Sequence, residues 1–187
     1  MTRMPDAGAG SDGDARRAWL AAAGVVDRGV VRLGHATAWL SLAIVVLMAT
    51  DVLLRYAFSV GSVWSQELEW HLLAPLVLFG MTYALGQGEH VRVDVFYARY
   101  PPRARALVDL VAALLAVTVA VLVIRYAIAY VMQSYEIGEI SADPGGLRYR
   151  WALKALIPIG FAVFALQAAA QGVRAFFRMI DPLPAVA

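Results

Sequence analysis

WSQELEWHLLAPLVLFGMTYALGQGEHVRVDVFYARYPP, residues 64–102, decides what kind of fold this chain can have. It opens with acids and a histidine, is apolar from Leu72 to Leu85, and closes in a polar, arginine-bearing turn. The apolar part alone gives about 21 Å of helix, whereas a bilayer core is about 30 Å thick. A helix leaving the membrane at Leu85 must therefore reach back to about Gln66. Glu67, Glu69 and His71 then fall at or just inside the hydrocarbon boundary. Charge at that depth is costly and demands partners, so the stretch predicts a spanning helix that touches other protein.

Composition places the whole chain in the same class. Of 187 residues, 61% are hydrophobic and 16% charged, and the mean hydropathy is +0.65. These values lie outside the usual soluble balance. Cysteine is absent, which removes disulfides, thiol nucleophiles and cysteine-based metal sites. The net charge of +2 comes from arginine with a single lysine, Lys154. No basic stripe with interleaved aromatics occurs, so nucleic acid is not an expected partner; the lipid bilayer is.

Residues 1–15 are rich in Gly, Ala and Asp and predict a disordered leader, with no apolar run of the kind a secretory signal needs. From residue 16 to 33, Trp19, Leu20, Ala23, Val26, Val30 and Leu33 recur at helical spacing among Arg16, Arg17, Arg28 and Arg32. That pattern predicts an amphipathic lead-in helix in the lipid interface, or equally a frayed approach to the first span. Spans are expected at about 34–54, 66–86, 106–131 and 151–177, with a tail at 179–187. Pro101 and Pro102 suit a helix start, and Asp143-Pro144-Gly145-Gly146 marks the tightest turn of the loop before the last span. The expected fold is all-α: an integral membrane four-helix bundle over residues 16–178.

Arginine and lysine set its orientation. Arg3, Arg16, Arg17, Arg28, Arg32, Arg92, Arg99, Arg103, Arg105, Arg174 and Arg178 fall on one side. Only Arg55, Arg148, Arg150 and Lys154 fall on the other, and Arg125 lies inside a span. The positive-inside rule then puts both termini in the cytoplasm.

That orientation aligns Asp51, Arg55, Glu67, Glu69, His71, Arg125 and Lys154 at one depth near the outer boundary. Without the histidine, three acids face three bases. This predicts a neutral ionic layer that fixes helix register or meets a partner subunit; the alternative is that each side chain snorkels separately to headgroups. Glu67 and His71, four apart, would supply two ligands of a metal site that lacks a third, so no metal is expected. His90, Arg92 and Asp94 are the corresponding candidates on the inner side. His35 and His90 share a depth that would let them share a haem, yet no cofactor is expected. In the last span, Ala165 and Ala169, then Ala168 and Gly172, have the spacing of close helix packing, with Gln167 and Gln171 as polar groups one turn apart. There is no nucleotide-binding phosphate loop, and no span is broken into half-helices.

Four motifs carry a resemblance: RYAF (55–58), WSQELEW (64–70), GMTYALGQGEHVRVDVFY (80–97) and GLRYRWALKALIPIGF (146–161). Together they resemble the small permease subunit of tripartite ATP-independent periplasmic (TRAP) transporters, over nearly everything beyond the leader. DPGGL and LKALIPIGF resemble the subgroup labelled for mannitol, chloroaromatic or oxo-acid substrates. The resemblance implies a non-enzymatic, multi-pass protein of the bacterial inner membrane. Its implied partners are a large multi-span permease subunit and a periplasmic substrate-binding protein, with organic-acid uptake driven by sodium. Within that pattern Arg55, Glu67 and Glu69 on the outer side, and His90, Arg92 and Asp94 on the inner side, are expected contact residues. Two other classes fit the hydropathy: a haem-bearing anchor of a respiratory enzyme, which would show Soret absorbance, and a self-associating four-span channel, which would transport alone.

Overall fold

The computed structural model describes residues 8–88, 97 and 99–180, with side chains from residue 13 onward. Four helices account for nearly all of them: α1 Gly8–Phe58, α2 Val63–Gln87, α3 Pro102–Glu136 and α4 Arg150–Ile180. Each contains a stretch long and apolar enough to cross a membrane. No strand occurs among the described residues.

Helix α1 runs for 51 residues, about 76 Å. The lead-in and first span are thus one uninterrupted helix, which starts at Gly8 inside the stretch expected to be disordered. No proline lies between Pro5 and Pro75, and this alanine-rich segment favours helix once a face can be packed. The lead-in accordingly runs on along α4.

Local chemistry sets the other ends. Ser62 caps α2, its hydroxyl accepting from the Ser65 amide at 3.4 Å. Gly88, with φ of 78°, ends that helix in the left-handed conformation glycine adopts without strain. Pro101 and Pro102 open α3 as expected. In the loop before α4, the Gly146 amide donates to the Asp143 carbonyl at 3.0 Å. Pro144 and Gly145 are the central pair of that turn, and φ of 84° at Gly145 is what a type II turn requires. Pro75 and Pro158 both lie inside continuous helices.

Helices α1, α2 and α4 touch one another, whereas α3 packs chiefly on α4. Along α1 and α3 the buried positions are spaced by seven residues or by twice seven. In α1 they are Ala23, Val30, Thr37 and Asp51; in α3 they are Ala106, Ala113, Ala120, Ala127 and Ser134. A seven-residue repeat keeps one seam facing a neighbour when helices coil left-handedly. Small residues on these seams let backbones approach closely. A Cβ added at Gly172 would sit 3.2 Å from that of Ala113, and one at Gly160 only 2.8 Å from that of Leu78. Large apolar side chains point outward instead: Trp39 is 72% exposed, Leu53 67% and Leu114 60%. Such a surface is stable against lipid or other protein, not against water.

Candidate functional sites at the two ends of the helices

Asp51 to Ser65 and Asp27 to Arg174 fix the up-down order, because the first pair joins the end of α1 to the start of α2 and the second joins early α1 to late α4. Both chain ends therefore lie at one end of the bundle, the terminal end. The two loops 59–62 and 137–149 lie at the other, the hairpin end.

At the hairpin end, Asp51 is nearly buried, its side chain 8% exposed, and Arg55 one turn later donates to it at 2.7 Å. The Ser65 hydroxyl donates to the other oxygen of Asp51 at 2.6 Å and so ties α1 to α2. Glu67 turns away from both. One of its oxygens accepts from the Ser141 hydroxyl and the other from the Leu147 amide. A carboxylate of α2 therefore clamps the loop that carries the Asp143–Gly146 turn. His71 Nδ1 lies 2.7 Å from the Glu67 carbonyl oxygen. A carbonyl only accepts, so Nδ1 carries the proton. Nε2 is then left as a buried acceptor with no partner among the described residues. A small cavity of about 140 Å³ beside it is lined by Gln66, Glu67, Trp70, Asp143 and Arg150.

Lys154 pairs with Glu139, a loop carboxylate. Its ammonium also lies 3.9 Å from the centroid of the Tyr130 ring, a favourable cation–π contact. The Lys154 hydrogen bond holds the Glu139 carboxyl below its ordinary value. Close by, Tyr135 and Trp151 meet edge to face at 5.5 Å between centroids.

The seven residues expected in one layer thus separate. Asp51 meets Arg55, and His71 meets the Glu67 backbone, but Glu67 takes a loop and Lys154 takes Glu139. Neither Glu69 nor Arg125 has an ion pair or hydrogen bond among the described residues. His90, Arg92 and Asp94 lie outside the described residues.

Sequence reasoning missed the polar knot at the terminal end. Gln167, fully buried, donates to Asp27 at 2.9 Å. Arg174 donates to the other oxygen of Asp27 and to the Ala23 carbonyl at 3.1 Å. Gln171 donates to the Leu85 carbonyl, which also accepts from the Gly88 amide that caps α2. One face of α4 thereby ties down α1 and α2 together. Nearby, Asp109 accepts from the Tyr97 hydroxyl at 2.9 Å and pairs with Arg178 at 3.3 Å. The available signal was Asp27 itself: the single acid of the 16–33 stretch, four residues after Ala23 among Arg16, Arg17, Arg28 and Arg32.

This arrangement joins helices and contains no catalytic grouping. No set of three or more His, Cys, Asp or Glu side chains among the described residues is placed to hold a metal.

Residues 44–178 match the family described as tripartite ATP-independent periplasmic transporters, DctQ component. Over 130 residues the chain is 27% identical to the small permease protein TeaB of the ectoine TRAP transporter of Halomonas elongata, covering 66% of this chain and 65% of that one. Over 105 residues it is 27% identical to a Haemophilus influenzae protein that carries the provisional name TRAP transporter small permease protein, covering 56% of this chain and 65% of that one. The matched stretch thus spans just under two thirds of either relative's length.

Proposed function

The chain belongs to the DctQ component family of TRAP transporters, and we propose that it is the stationary membrane subunit of a sodium-driven importer of organic acids. In this reading it pairs with a large multi-span permease, which carries the substrate and ion sites, and a periplasmic binding protein delivers the solute. It sits in the bacterial inner membrane with both termini in the cytoplasm, as its arginine distribution supports.

The narrow seam between α3 and α4 carries the scaffold reading. Ala120 there is 0% exposed and Ala168 1%, so side chains of minimal size fill the space where a solute would have to pass. Two apolar grooves lie on the flanks. A protein built this way widens a membrane body without opening a path through it. A larger hydrophobic perimeter resists tilting and sinking, which is what a partner that slides its cargo across the bilayer needs from a fixed frame.

Reconstitution tests the proposal. Vesicles holding this chain, a large TRAP permease subunit and the binding protein should accumulate an organic acid when a sodium gradient is imposed. Vesicles holding this chain alone should not, and uptake by them would overturn the scaffold role. The chain lacks cysteine, so single-cysteine variants near each terminus report topology directly, and both should resist an impermeant maleimide added outside the cell.

A further inference from the structure

At the terminal end, α1 and α3 both pack on α4 and leave an opening between them. Trp19 of α1, Leu110, Leu114 and Val117 of α3, and Ala169 and Phe177 of α4 line this groove, whose volume is about 440 Å³. Its floor is shallow because Ala168, Gly172 and Ala113 carry almost no side chain. Its length is set by α4, where the lining runs from Ala168 to Phe177, about 13.5 Å of helix. That is close to the depth of one leaflet, half of a hydrocarbon core of about 30 Å. A partner helix crossing the bilayer would run past such a groove; a single acyl chain ends where it ends.

The rim supplies the second observation. The Arg16 guanidinium lies over the Phe177 ring at 5.6 Å, at the end of the groove nearest the chain termini. Arg178, one residue beyond Phe177, reaches across to Asp109, one residue before Leu110. Asp109 is itself only 12% exposed and already accepts from Tyr97, whereas the Arg178 side chain remains 56% exposed. The Arg178 guanidinium is thus turned outward at the rim, with Arg16 half-buried beside it, and Trp19, 60% exposed, adds an indole, a group favoured at headgroup depth. Apolar walls one leaflet long, closed by arginine and tryptophan at the interface, are complementary to an anionic phospholipid.

We infer that the groove between α1 and α3 holds one acyl chain of an anionic phospholipid, its phosphate drawn to Arg16 and Arg178. The bound lipid completes the packing that the helices leave unfinished, and it joins α3 to α1 through a molecule the membrane supplies. The site does not depend on the transport reading, because it needs only that the chain be embedded in a bilayer.

Native mass spectrometry of the full-length chain, released from detergent after incubation with equal amounts of phosphatidylglycerol and phosphatidylcholine of matched acyl chains, reads the site directly. The wild type should retain one phosphatidylglycerol, favoured about fivefold for each arginine engaged. Ala169→Phe places a ring where the acyl chain would lie and should abolish retention of that lipid, with helicity and elution unchanged. Arg16→Gln should keep one lipid but lose most of the preference, and this variant decides the matter if the filled groove prevents folding. Equal retention of the two lipids by the wild type, or undiminished phosphatidylglycerol on Ala169→Phe, overturns the site. So does an efficient crosslink from Ala169→Cys to the large permease in native membranes, which would put protein in the groove.

Discussion

Glu67 sits in the second turn of α2, yet its carboxylate closes on a backbone amide 80 residues away in the chain. Hydrogen bonds to a charged acceptor are among the stronger ones a protein makes, about 1.5–3 kcal/mol each. Glu67→Ala should therefore lower the thermal midpoint of the purified chain and expose the 141–147 loop to protease. Glu67→Gln keeps the shape but loses the charge, and should fall between the two. Glu139 allows a prediction in pH. Its carboxyl is held below the ordinary 4.5 by the Lys154 hydrogen bond, so the folded state favours the ionised form. That contribution is complete above the ordinary value and disappears as pH falls through the lowered one. Melting temperature should drop as the protein is acidified below about pH 5. In Glu139→Gln it should start lower and drop less over the same range, and identical acid profiles would show that the pair does not contribute. From sequence, Glu67 and Lys154 were legible as belonging to one end of the molecule. Their partners were not, because Glu67 and Lys154 reach into a loop whose path depends on the left-handed glycines at 138 and 145.

Among the elements, the existence and order of the four spans were legible and the packed faces were not. In a water-soluble helix the buried face is the apolar one, so hydrophobicity marks it. In α3 nearly every face is apolar, since Leu107, Leu114, Val121 and Leu122 all point outward while Ala113 and Ala120 point inward. What distinguishes the inner face is size: lipid accepts bulk, while a neighbouring backbone accepts only small residues. The alanines at 106, 113, 120 and 127 were thus present in the sequence as a seven-residue repeat in volume rather than in polarity. The continuity of α1 was obscured for a related reason, because arginines on its exposed side resemble an interfacial helix until Asp27 is seen tied to α4. Ala120→Leu should force α3 from α4 at a cost of about 1–3 kcal/mol, the usual range for overpacking. Leu115→Ala, on the outward face at 61% exposure, should change the melting temperature little. Equal effects of the two would mean that the seam does not hold α3.

For the molecule as a whole, the consequence is an uneven bundle: three helices brace one another, and α3 is fastened chiefly along one line. Arg125 lies on α3 about 140° around the helix from Ala120, on the side turned away from α4, and is exposed. It stands five residues, about 7.5 Å, deeper than Tyr130, the residue level with Lys154. A guanidinium at that depth, with no hydrogen bond or ion pair among the described residues, must either bend toward headgroups or meet an acid on another protein. In the proposed assembly an acid of the large permease would meet it, with the free face of α3 turned toward that subunit. Arg125→Leu should then leave the melting temperature of the isolated chain unchanged, since no hydrogen bond or ion pair among the described residues is lost, while the amount of large permease that co-purifies falls severalfold. Arg125→Lys retains the charge and should recover part of the complex. Undiminished co-purification with Arg125→Leu would assign the residue to the lipid headgroups and leave α3 facing the bilayer.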